Sequence, residues 1–210
     1  MTDPRLFYRV YSDWDQLWSE LGPLLTYRSS SFAKAFEHLS SIQQPHIVET
    51  GSWRNDSVEH EQHFGDGAST WLFNWFLRFH GGSGVTIDLS ESCTELCRRR
   101  CEMFEAITGN SIAVLPQLRK PADLLYLDSY DLDWNNDTPA AVHHLKELFA
   151  ASHLIGPNTL IMVDDNRVSD GNVTGKGRLV HELLTEMGVP ALHAGYQMIY
   201  SGVWDSFRLE

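Results

Sequence analysis

A chain of 210 residues, 42% hydrophobic and 21% charged, is long enough for one large domain with a sizeable core. Its formal net charge of −12 repels phosphate backbones and anionic bilayers, which argues against nucleic acid and membrane as partners. No apolar stretch could span a bilayer, the opening MTDPRLFYRVYSDWD has no signal-peptide core, and three cysteines argue against a disulfide framework, so a cytoplasmic location is expected.

The first forty-odd residues predict helices. Over 13–21, Trp14, Leu17, Trp18 and Leu21 share one stripe; over 31–42, Phe32, Phe36, Leu39 and Ile42 share another. Alternation then begins. HIVETG (46–51) reads as a short strand, followed by a long polar stretch and an aromatic helix over 68–79 that ends at Gly81-Gly82. GVTIDLS (84–90) reads as a strand ending in Asp88. A helix is expected from 92 to about 107, stopped by Gly109-Asn110. In it Cys93, Cys97 and Cys101 form an i, i+4, i+8 stripe that suits small buried thiols. SIAVL (111–115) and ADLLYLDS (122–129) read as strands, 139–154 as a helix with Pro139 in its first turn, and NTLIMVDD (158–165) as a strand. A helix over 176–187 is stopped by Gly188 and Pro190, and two short strands close the chain.

Strands alternating with helices predict a parallel sheet covered on both faces, and continuous apolar runs fit strands buried on both sides. Ligands in such sheets bind beyond the carboxyl ends of the strands. Gly51, Asp88, Asp128, Asp164 and Asp165 all fall there. A glycine after the first strand lets a ligand approach the backbone, and an acid ending the second can accept from ribose hydroxyls. A GxGxxG fingerprint is absent, which argues against NAD or FAD. Three carboxylates on adjacent strand ends repel one another unless something offsets the charge. A hard divalent cation would do so; alternatively one acid caps a helix, another faces solvent, and no ion binds.

On ETGSWR (49–54), IDLS (87–90), DLLYLDSYD (123–131) and TLIMVDDN (159–166), the chain resembles class I methyltransferases that use S-adenosylmethionine. It is most similar to metal-dependent O-methyltransferases of macrolide sugars (the TylF type) and the cephalosporin-hydroxylase-like group, from about residue 46 to about 203. The resemblance implies a Rossmann-like α/β fold: a seven-stranded, mostly parallel sheet with helices on both faces. A helical extension (1–44) would precede a methyltransferase domain (45–210). It also implies that Glu49, Gly51 and Ser52 line the methionine end of the cofactor, and that Asp88 with Leu89 holds the ribose. Asn110 or Ser111 would contact adenine. Asp128, itself beside the cofactor, would ligate Mg²⁺ or another divalent cation with Asp164 and Asp165, Asn166 being a substitute. Two departures stand out: Asn55-Asp56 and a long insertion replace the family's glycine-rich loop, with GDGAST only at 65–70, and Asp131 stands where relatives often place a lysine base.

The expected catalytic residues are Asp128, Asp131 and His143. Of His143-His144 one must point elsewhere. His60 and His63, with Glu59 and Glu61, would form a lid or a solvated loop, and GKGR (175–178) an anion site or a plain helix start. The expected activity is methyl transfer to a hydroxyl of a small-molecule acceptor, a sugar or polyol, by an enzyme whose oligomeric state stays open. The alternatives are a hydroxylase-like relative on the same fold and a non-catalytic binder of the cofactor.

Overall fold

The computed structural model describes residues 9–55 and 68–207. Its centre is a seven-stranded sheet built from β1 (His46–Thr50), β2 (Ser83–Asp88), β3 (Phe104–Thr108), β4 (Ala122–Leu127), β5 (Ile155–Val163), β8 (Ala191–His193) and β9 (Met198–Tyr200). A separate hairpin, β6 (Asn166–Ser169) and β7 (Asn172–Gly175), follows β5. The strand order is β3-β2-β1-β4-β5-β9-β8; all neighbours run parallel except at β9, which is antiparallel to both β5 and β8. The order reverses between β1 and β4, where the carboxyl ends open a crevice.

Side chains alternate to opposite faces with period two, and both faces are covered. Ile47, Leu124, Tyr126, Leu160 and Met162 pack with Leu17, Phe32, Phe36, Phe73 and Phe76. These come from α1 (Trp14–Leu21), α2 (Ser29–Ser40) and α3 (Ser69–His80), so the N-terminal helices share one core with the sheet. Val48, Leu125, Leu127, Ile161 and Val163 pack on the other side with Leu148, Val180 and Leu184. Those belong to α6 (Thr138–Ala150) and α7 (Arg178–Glu186). Each such side chain contributes about 1.5–3 kcal/mol on burial. The aromatic helix α3 is a core helix, buried from Ser69 through Leu77.

Local signals explain the boundaries. Asp13 caps α1, its carboxylate accepting from Gln16 N at 2.8 Å. The helix expected over 92–107 is two elements: α4 (Glu91–Arg100) stops where Cys101 leaves helical geometry, and residues 104–108 form the edge strand β3. Phe104 and Ala106 are buried while Glu105 and Thr108 are exposed, the alternation of a half-covered strand. The strand expected at 111–115 is instead the short α5 (Ser111–Val114), because Asn110 caps it by accepting from Ile112 N at 3.0 Å. Cys97 and Cys101 are buried and all three thiols are free. No helix among the described residues is long and apolar enough to cross a membrane.

Candidate active site

The crevice is assembled from four strand ends. At the end of β1, Glu49 is fully buried; its Oε1 accepts from Ser69 Oγ at 2.6 Å, and its Oε2 has no hydrogen-bond partner among the described residues. Burial pushes its carboxyl up to about 8. Gly51 has φ +84°, and a Cβ there would lie 2.6 Å from the Asp128 carbonyl oxygen. Glycine is therefore required both by conformation and by space. Gly51→Ala is expected to cost about 1–3 kcal/mol in urea denaturation; a cost under about 0.5 kcal/mol would mean that the cradle is loose.

At the end of β2, Asp88 accepts from Ser52 N through Oδ2 and from Ser90 N through Oδ1, both at 2.8 Å. This ties the strand ends together, and each oxygen keeps a second lone pair. Leu89 beside it is 75% exposed. Asn110 is the cap of α5, and buried Ser111 lies 3.3 Å from His143 Nε2.

The ends of β4 and β5 carry the charge. Lys176 Nζ sits between Asp128 Oδ1 at 2.5 Å and Asp165 Oδ2 at 2.8 Å. Burial opposes the Lys176 charge, but the two carboxylates outweigh it and hold the amine well above its usual range. Asp164 turns the other way. Its Oδ2 accepts from Arg28 Nη1 at 3.1 Å, from Gln197 Nε2 at 3.0 Å and from the Tyr126 hydroxyl. Asp165 also accepts from the Tyr196 hydroxyl. A cavity of about 220 Å³ collects Gly51, Ser52, Arg54, Asp128, Asp131 and Lys176, among others, at its wall. Asp131 stands at its mouth, 86% exposed, 3.0 Å from Arg54 Nη2.

The structure thus gathers Gly51, Ser52, Asp128, Asp131, Asp164 and Asp165 at one cavity, with Glu49, Asp88, Leu89, Asn110 and Ser111 outside its wall. A divalent cation does not fit the acids as arranged. Asp128 and Asp165 face an ammonium, Asp164 faces a guanidinium, and among the described residues no group of three or more His, Cys, Asp or Glu could hold a metal ion. The offset that three carboxylates demand comes from within the chain. Asn166 cannot substitute: its Nδ2 donates to the carbonyls of Val163 and Asp164, and its Oδ1 accepts from Gly177 N. His143 is held between Ser111 and Glu147, 3.3 Å from each, and does not line the cavity. His144 is the histidine that points elsewhere, fully buried, with its ring pushed down to about 4 by burial. His60 and His63 lie outside the described residues.

Arg28, Tyr126, Tyr196 and Gln197 complete the site with no sequence expectation behind them, and Lys176, expected only within GKGR (175–178) as part of an anion site or a helix start, binds two carboxylates of the chain itself. One signal was available: Asp170-Gly171 forms the two-residue turn of the β6–β7 hairpin, with φ +50° and +79°, and that hairpin delivers Lys176.

No protein-family model matches the sequence, and no curated protein does. Solved structures do. The MycE methyltransferase from the mycinamycin biosynthetic pathway, in complex with Mg, SAH and mycinamycin VI, matches over 83% of this chain with a TM-score of 0.57 and 12% identity. The SAH-bound Podospora anserina methyltransferase PaMTH1 matches over 88% of this chain and 86% of its own, with a TM-score of 0.52 and 12% identity. The chain has the class I methyltransferase fold. A second MycE structure, with Mg and SAH, gives a TM-score of 0.58 at 14% identity. The chain spans about half the length of the MycE structures, 48% and 49%.

Proposed function

We propose that this class I fold transfers a methyl group from S-adenosylmethionine to an oxygen of a small polar acceptor, a sugar or other polyol. The observation that carries the reading is the buried Glu49 Oε2, an acceptor with no partner among the described residues, two positions before a glycine whose Cβ space is closed by backbone. A buried carboxylate oxygen without a partner is costly, and a ligand's ammonium would satisfy it. Glu49 would take the ammonium of the methionine end, Gly51 would let that end pass along the backbone, and Asp88 would accept from the ribose hydroxyls. Leu89 would cover the nucleoside, and Asn110 or Ser111 would meet the base.

When bound, S-adenosylmethionine supplies an electrophilic methyl on a sulfonium. The chain's residues align the acceptor and handle its proton, and alignment can remove about 7–11 kcal/mol of barrier in favourable cases. The cavity wall, rich in charged donors and acceptors, suits a polyhydroxylated molecule. Asp131, the exposed acid at the mouth, is the base of this reading, with Arg54 holding its carboxylate.

S-adenosylhomocysteine is expected to raise the melting midpoint, adding about 2.7 kcal/mol at a free concentration near 100 times its dissociation constant. Asp88→Asn should weaken that binding by roughly tenfold or more. No rise with the intact protein ends the reading. Binding without transfer of labelled methyl to any of a panel of sugars and polyols would leave a binder and not an enzyme.

A further inference from the structure

We propose that Lys176 is the resident cation of this site: its ammonium holds the place between Asp128 and Asp165 that a divalent metal would need. The ammonium is held by carboxylate oxygens at 2.5 Å and 2.8 Å, with the Asp128 carbonyl at 3.4 Å. Ca²⁺ binds oxygen at about 2.3–2.6 Å, and Mg²⁺ is often held by one or two carboxylates plus waters. The acids are therefore nearly spaced for a metal, and the lysine fills the space.

The lysine is built into position. Its side chain is 2% exposed. Lys176 N donates to Asp165 O at 3.1 Å, Gly175 N to Asp137 Oδ2 at 2.8 Å, and Gly177 N to Asn166 Oδ1 at 2.6 Å. Three successive backbone amides are thus fastened. Gly175 has φ +103°, and a Cβ there would meet the Asp165 carbonyl at 2.1 Å, so the hairpin closes against the strand end that it serves. Asp137 is itself clamped by the Arg178 guanidinium at 3.1 Å. The backbone that carries Lys176 is thus fixed, and the charge at its tip is placed in advance, as in a preorganised site. On the methyl-transfer reading above, the acceptor oxygen then lies beside a paired ammonium and not a Lewis acid.

The test is Mn²⁺ titration of the full chain after chelator treatment, followed by the spectroscopic signal of free Mn²⁺ and by melting midpoint. Intact protein is expected to bind no Mn²⁺ at these acids. Lys176→Ala should gain one site, roughly 100-fold tighter than any in the parent, and Lys176→Ala/Asp165→Asn should lose it. If Lys176→Ala does not fold alone, Mn²⁺ in the refolding buffer should restore it; failure to refold with the metal counts against the proposal. Micromolar Mn²⁺ binding by the parent that Asp165→Asn abolishes would overturn it, as would a folded Lys176→Ala with no gain. S-adenosylhomocysteine binding, measured separately, tells failure here from failure of the methyl-transfer reading.

Discussion

Arg28→Met is expected to destabilise the protein by about 3–5 kcal/mol, because it strands a buried carboxylate. Arg28 and Asp164 are 6% and 1% exposed and meet at 3.1 Å across 136 residues of sequence. Both line the cavity, but with Asp164 only 1% exposed, water there replaces the guanidinium poorly. Tyr126 and Gln197 still donate to Asp164, and Ser31 Oγ donates to Gln197 at 2.5 Å, but neutral donors do not balance a buried charge. With total stability usually about 5–15 kcal/mol, the variant stands near unfolding at room temperature. Arg28→Met/Asp164→Asn should recover part of the loss, since the amide carries no charge to offset, while its single oxygen can serve Tyr126 and Gln197 or Asp165 N but not both sides. Urea denaturation of the parent, both single variants and the double closes the cycle. A loss under about 1 kcal/mol for Arg28→Met would show that the pair behaves like a solvent-screened surface bridge.

The same pair marks the boundary of what the sequence could disclose. The acids at the strand ends were legible because apolar runs such as Leu124–Leu127 and Leu160–Val163 are buried on both sides, and a carboxylate after such a run has only the rim to occupy. Their need for positive charge was legible too, from repulsion alone. Its source was not. Arg28 arrives from the N-terminal helices and Lys176 from a hairpin, and spacing along a chain carries no record of pairings at that distance. The misread helix over 92–107 has a local cause. β3 is a five-residue edge strand that follows Arg98-Arg99-Arg100 without a glycine or proline, so nothing in the sequence interrupts the helical pattern. The short α5 replaces an expected strand because SIAVL has a strand's composition while the Asn110 cap is a helix-starting signal.

Glu49→Gln is expected to act in opposite directions on the ligand-free and ligand-bound protein. In the ligand-free fold, burial raises the Glu49 carboxyl from 4.5 to about 8. The folded state therefore holds this proton more tightly than the unfolded chain does. Its contribution to stability is fully present below pH ~4.5 and is lost as pH rises through about 8. The full swing is about 4–5 kcal/mol. Glutamine keeps the shape and an acceptor for Ser69 but cannot ionise, so the variant should lack this slope and be the more stable protein near pH 8. A ligand ammonium set against Oε2 reverses the balance, since an opposite charge favours the ionised carboxylate. S-adenosylhomocysteine should then bind the parent more tightly as pH rises from 6 to 8, while Glu49→Gln should lose roughly tenfold or more in affinity and show no such trend. The measurement is urea denaturation between pH 5 and 9, with and without the ligand. Parallel pH curves for parent and variant would deny the burial argument. An unchanged affinity in the variant would remove Glu49 from the cofactor site and with it the main support for the methyl-transfer reading.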